Sequence, residues 1–70
     1  MTEKEFSKLL KGNQKRFDKP SNVLNEALGV SVRTMKTYIN EPKQMRVGDL
    51  ILISEELHIR DDELISYLKG

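Results

Sequence analysis

Residues 20–40 read PSNVLNEALGVSVRTMKTYIN, and this stretch decides the fold. Leu24, Leu28, Val30, Met35 and Tyr38 stand at offsets that let two short crossed helices share one small core. Gly29 falls where the first helix must stop and the backbone turns left-handed, a conformation glycine reaches without steric penalty. Ser31 then offers a hydroxyl N-cap to the next helix. Helical spacing in that second helix buries Met35, Tyr38 and Ile39 and turns Val32, Arg33, Lys36, Thr37 and Asn40 outward. A short exposed helix carrying Arg, Lys, Thr and Asn has the dimensions and the donors to enter a DNA major groove.

Working outward, the periodicity predicts helices only. Phe6, Leu9 and Leu10 form an i, i+3, i+4 stripe in a helix over Glu3–Lys11, with Thr2 as N-cap and Gly12 as its stop. Residues 13–19, polar except for Phe17, are expected to be a loop. The next helix starts near Pro20, a proline suited to a first turn, with Phe17 packing back on it as a staple. Its apolar face is Val23, Leu24, Ala27 and Leu28.

After the third helix, Asn40-Glu41-Pro42 ends the run, because proline lacks the next helical N–H and restricts Glu41. Residues 41–46 are a polar connection. In Val47–Leu57 the run Leu50 to Ile53 would equally suit a buried strand. Helix is preferred because Leu57 extends the stripe of Leu50 and Ile53, and no second strand exists to pair with. The last helix spans Asp61–Leu68, and Asp61, Asp62 and Glu63 complement the positive end of its dipole. The architecture expected is an all-α, compact bundle of five short helices forming a single domain over residues 1–70, with a helix-turn-helix at its centre.

Size and composition limit what such a bundle can do. Seventy residues leave no room for a separate catalytic or ligand-sensing module. A chain this short buries only roughly 60% of its unfolded surface, so its stability margin is small. There is no Cys, which removes disulfides and thiolate metal sites and suits a reducing, cytoplasmic setting. No apolar run has signal-peptide or membrane-span length.

Net charge is only +1, yet its distribution is uneven. Residues 1–47 hold ten Lys and Arg against five Asp and Glu, a net of +5, while residues 48–70 hold two against six, a net of −4. The basic section contains the candidate groove-entering helix.

An enzyme is hard to assemble from these residues. No Ser–His or Cys–His pair has nucleophile spacing, and no glycine-rich phosphate loop is present. The single histidine, His58, reads as a turn residue. Asp61, Asp62 and Glu63 diverge around a helix, so they read as a first turn and not as a metal site. No cofactor or small-molecule substrate is implied.

Leu28-Gly29-Val30-Ser31, followed by Thr34, Met35 and Tyr38-Ile39-Asn40, resembles the helix-turn-helix of the lambda-repressor and Cro-like family. The downstream half is similar too: Val47, Leu50, Ile51, Ile53, Leu57 and Ile59, then Asp62-Glu63-Leu64-Ile65, look like that family's fourth and fifth helices. The resemblance covers about Phe17 to Ile65. Three positions depart from it. Asn25 replaces a small residue at the helix contact, Glu41-Pro42 replaces a glycine-containing exit, and His58 replaces a glycine between the last two helices.

The resemblance implies sequence-specific binding to double-stranded DNA by a small transcriptional regulator of phage or bacterial type, acting in the cytoplasm. Ser31, Val32, Arg33, Lys36, Thr37 and Asn40 would face the bases, with Arg33 best suited to guanine. Lys15, Arg16, Ser21, Asn22, Lys43 and Arg46 would hold phosphates. A homodimer through Ile65, Tyr67 and Leu68 would read two half-sites. The competing expectation is the same fold used as a protein-binding module.

Overall fold

The computed structural model describes residues 1–70 as five α-helices: α1 Glu3–Arg16, α2 Ser21–Leu28, α3 Val32–Asn40, α4 Val47–Glu56 and α5 Asp61–Leu68. A 3-10 turn, Pro42–Gln44, joins α3 to α4, and there is no strand. The protein is thus an all-α bundle, and Val47–Glu56 is helical.

Its centre is a single cluster of Phe6, Leu10, Leu24, Met35, Ile39, Met45, Leu50, Ile53, Leu57 and Ile59. Every helix up to α4 contributes to it. Helix α5 adds the half-buried Leu64 and Tyr67, and the Tyr67 ring stacks on Phe6 with centroids 4.2 Å apart.

Helix α1 starts as expected, on a capping box in which Glu5 N–H donates to Thr2 Oγ1 at 3.1 Å and Thr2 N–H to Glu5 Oε1 at 3.0 Å. It does not stop at Gly12, and residues 13–16 are helical rather than loop. A glycine inside a helix costs only about 1 kcal/mol relative to alanine, so a further turn with good contacts outweighs it. The contacts are there: Asn13 Nδ2 donates to the Leu57 carbonyl at 2.8 Å, and Gln14 Nε2 to Ser21 Oγ at 3.3 Å.

Three helices end in the same way. Lys19 N–H donates to Gln14 O, Val30 N–H to Asn25 O and Ile59 N–H to Ser54 O, each bond reaching back five residues. The residue before each donor is left-handed: Asp18 at φ 53°, Gly29 at φ 67° and His58 at φ 55°. This satisfies carbonyls that a helix end leaves open and turns the chain sharply. His58 therefore occupies the cap position expected of it.

Several packing expectations need correction. Val23 is 50% exposed and Ala27 is exposed as well, so α2 buries Leu24 and, in part, Leu28. Eight residues make barely two turns, too few for both flanks of α2 to be covered. Phe17 does not staple α2; its ring lies 4.3 Å from that of His58. Tyr38 is half-buried rather than central, and Val32 is half-buried rather than outward. The connection after α3 is not simply polar, because Pro42 and Met45 are buried in it.

Candidate nucleic-acid interface

The geometry of α3 follows from its two ends. Ser31 Oγ accepts from Thr34 N–H at 3.1 Å and donates to Thr34 Oγ1 at 3.0 Å, which fixes the first turn. At the far end Ser7 Oγ, on α1, donates to the Ile39 carbonyl at 2.7 Å. Nearby, Glu3 Oε2 accepts from Lys43 N–H at 3.0 Å. Asn25 braces the turn itself, donating from Nδ2 to the Val30 carbonyl at 3.1 Å. Helix α3 is therefore held by α1 at one end and α2 at the other, with Met35 and Ile39 buried along its inner face.

Its outer face carries Arg33, Lys36, Thr37 and Asn40, all exposed. The four ion pairs of the molecule are Lys19–Glu56, Lys43–Glu3, Arg60–Asp62 and Arg60–Glu63, so neither Arg33 nor Lys36 has a carboxylate partner. Thr37 Oγ1 donates to the Arg33 carbonyl at 3.2 Å, which commits its proton and leaves its methyl free. Ser31 is likewise engaged locally. The groups on this face free to donate are Arg33, Lys36 and Asn40.

The six residues expected at phosphates do not form one group. Lys15 and Ser21 line a shallow groove of about 370 Å³ with Lys11, Gln14, Asp18 and Pro20. Asn22 is exposed in the first turn of α2, whose N-cap Pro20 brings no side-chain acceptor. The amide N–H groups of Ser21 and Asn22 thus lack helical acceptors, and Ser21 shares the groove with two lysines and the carboxylate of Asp18. Arg16 lies elsewhere, with its guanidinium carbon 5.3 Å from the centre of the Phe17 ring. Lys43 is partly committed, its Nζ 3.8 Å from Glu3 Oε1, and Arg46 is exposed at the start of α4.

Lys11, which the sequence pattern does not single out, lines the same groove as Lys15. Lys11 and Lys15 share a face as an i, i+4 pair only if α1 continues past Gly12.

The acidic run has a structural role. Glu63 Oε1 accepts from Arg60 N–H at 3.1 Å and closes the start of α5, while the Arg60 guanidinium lies 3.3 Å from Asp62 and 3.5 Å from Glu63. No helix is long and apolar enough to cross a membrane. No protein-family model, curated protein or solved structure matches the chain.

Proposed function

We propose that this protein binds double-stranded DNA in a sequence-specific way, as a small transcriptional regulator of bacterial or phage type acting in the cytoplasm. One observation carries the reading: a braced helix presents Arg33, Lys36, Thr37 and Asn40 together, with both cations unpaired. Unpaired cations on a rigid helix lose little on meeting a polyanion, whereas paired ones would first have to release a carboxylate.

Helix α3 enters the major groove, and Arg33 donates to guanine O6 and N7. The exposed Thr37 methyl group meets a thymine methyl. Lys11, Lys15 and the first-turn amides of α2 take a backbone phosphate, and Arg46 takes another.

At 28 Å in its longest dimension, one copy is shorter than the ~34 Å between successive half-sites on one side of a duplex. A homodimer is the working form in this reading. Ile65 and Leu68, 49% and 55% exposed, are its contact residues. Tyr67 is not among them, since it is spent on Phe6.

A second reading, a protein-binding module, draws on the exposure of Val23, Ala27 and Leu52 on α2 and α4. Selection from a random duplex pool at physiological salt separates the two. Recovery of a two-fold-related pair of half-sites supports the DNA reading, and recovery of no consensus sinks it.

A further inference from the structure

Helix α5 is the least anchored of the five. None of its residues is fully buried, and it runs along no other helix. Its seat consists of the half-buried Leu64 and Tyr67, with Tyr67 stacked on Phe6. The Met1 ammonium group adds a bond to the Ser66 carbonyl at 3.3 Å. We propose that α5 exchanges between two copies of the chain, each seating its α5 on the other's Phe6, with α4 and α5 joined into one continuous helix.

The corner is the first argument. Glycine makes the α2–α3 turn, whereas the α4–α5 corner holds His58 at φ 55°, where a non-glycine side chain crowds the following carbonyl. Straightening the corner relieves that strain. From Asp49 to Lys69 there is no Gly or Pro to interrupt a helix. The backbone stays satisfied, since Ile59 N–H, now bonded to the Ser54 carbonyl, would take that of Glu55 instead.

Phase is the second. Leu50, Ile53 and Leu57 form the buried stripe of α4. Leu64 stands seven residues after Leu57 and Tyr67 three after that, so a continuous helix carries both on the same stripe. Only Arg60 interrupts it. Glu56 would then precede Arg60 by four residues, the favourable order for a helical ion pair.

Reach is the third. A continuous helix over residues 47–68 is about 33 Å long, beyond the 28 Å longest dimension of the folded-back molecule. Straightening therefore lifts Tyr67 off its own Phe6. The emptied seat fits the α5 of a second copy, because that helix brings the same side chains to the same contacts.

Ile59, buried at the corner, and the bond from Arg60 N–H to Glu63 Oε1 hold the folded-back form. That form prevails in dilute solution, because a tethered α5 competes at an effective concentration of about 1 mM. Exchange is thus concentration-dependent. It specifies how two copies join, and so rests on the homodimer described above but not on DNA.

Isotope-labelled and unlabelled full-length chains are unfolded together in urea, refolded at about 1 mM and read by isotope-filtered NOE. Contacts from the Phe6 ring of one chain to the Tyr67 ring of the other are expected. Asp61→Pro separates the two forms. Asp61 opens α5, where its N–H has no helical acceptor, and Arg60 before it is already extended at φ −73°, ψ 151°. Proline there fits the folded-back form and breaks the continuous helix, so the variant should stay folded as a monomer and lose the exchanged dimer. His58→Gly should weaken the dimer at least about 100-fold, and His58→Ala should tighten it about tenfold. A dimer whose Phe6–Tyr67 contacts all lie within one chain would overturn the exchange and leave contact through Ile65 and Leu68 standing. A dimer indifferent to Asp61→Pro would also overturn it. A monomer at every concentration would sink the exchange and the homodimer together.

Discussion

Ser7 on α1 and Ile39 near the end of α3 are joined by a buried 2.7 Å hydrogen bond across 32 residues of chain. The Ile39 carbonyl is one of the last four of α3, which have no acceptor role left inside the helix. Ser7 thus satisfies an open helix end and fixes the direction of α3 in one contact. Ser7→Ala should cost about 1–3 kcal/mol, because the carbonyl is left buried and unpaired. Urea unfolding measures it directly, and an unchanged midpoint would show that water reaches the carbonyl instead.

Asn25 combines one good bond with one bad one. Nδ2 reaches the Val30 carbonyl, but Oδ1 is buried without a partner. Removing both together should nearly cancel, so Asn25→Ala is expected to shift stability by less than about 1 kcal/mol. Asn25→Asp keeps the buried acceptor, loses the donor and adds charge beside a carbonyl. It should cost about 2 kcal/mol or more at neutral pH, and less in acid as the carboxyl protonates.

The left-handed corners predict changes of opposite sign. Gly29→Ala has space for its methyl group but not the backbone freedom, and should cost about 1–2 kcal/mol. Asp18→Gly relieves the same strain at an exposed turn and should gain up to about 1 kcal/mol, or roughly 4–8 °C in Tm for a domain of this size. Calorimetry on both variants tests the sign as well as the size.

Stability should fall at both extremes of pH. The hydrogen bond and charge of Lys19 hold the Glu56 carboxyl below its ordinary value of 4.5, and the Thr2 backbone and hydroxyl do the same for Glu5. A lowered folded-state value means that stability is present above the unfolded value and is lost as pH falls through the folded one. Burial, with a smaller effect of the Glu3 charge, raises the Tyr67 phenol above its ordinary 10.0, so its contribution is whole below that value and lost as pH rises beyond it. Glu56→Gln should flatten the acid limb and Tyr67→Phe the alkaline one, as read from urea midpoints across pH.

If α3 reads bases, Arg33→Ala should cost about 1–3 kcal/mol on the selected sequence and little on random duplex. Lys11→Ala or Lys15→Ala should weaken both alike and reduce the salt slope by about 0.9 for each lost phosphate contact. Equal losses on both duplexes for Arg33→Ala would leave it a phosphate ligand.

What the sequence made legible was local. Gly29, Ser31 and Pro42 punctuate the chain by their own conformational preferences, and the stripe Leu50, Ile53, Leu57 declared α4 helical despite four consecutive aliphatic residues. Gly12 misled because its cost is small beside contacts made by Asn13 and Gln14 to residues far along the chain. Nothing in the local pattern announces such partners. The same blindness left Lys11 out of the expected phosphate contacts and joined Arg16 to Lys15, which a continuous helix sets about 100° apart. Val23 and Ala27 have core-like identity, yet only the positions of α1 and α4 decide which flank of α2 is covered.

The three abrupt corners at Asp18, Gly29 and His58 also bear on how the molecule can be cut. A protease must draw its target into an extended strand, and none of these turns has slack to comply without unravelling a neighbouring helix. Nicking at them would then follow the opening of the adjoining helix end, giving the chain a lifetime among proteases set by how readily those ends fray.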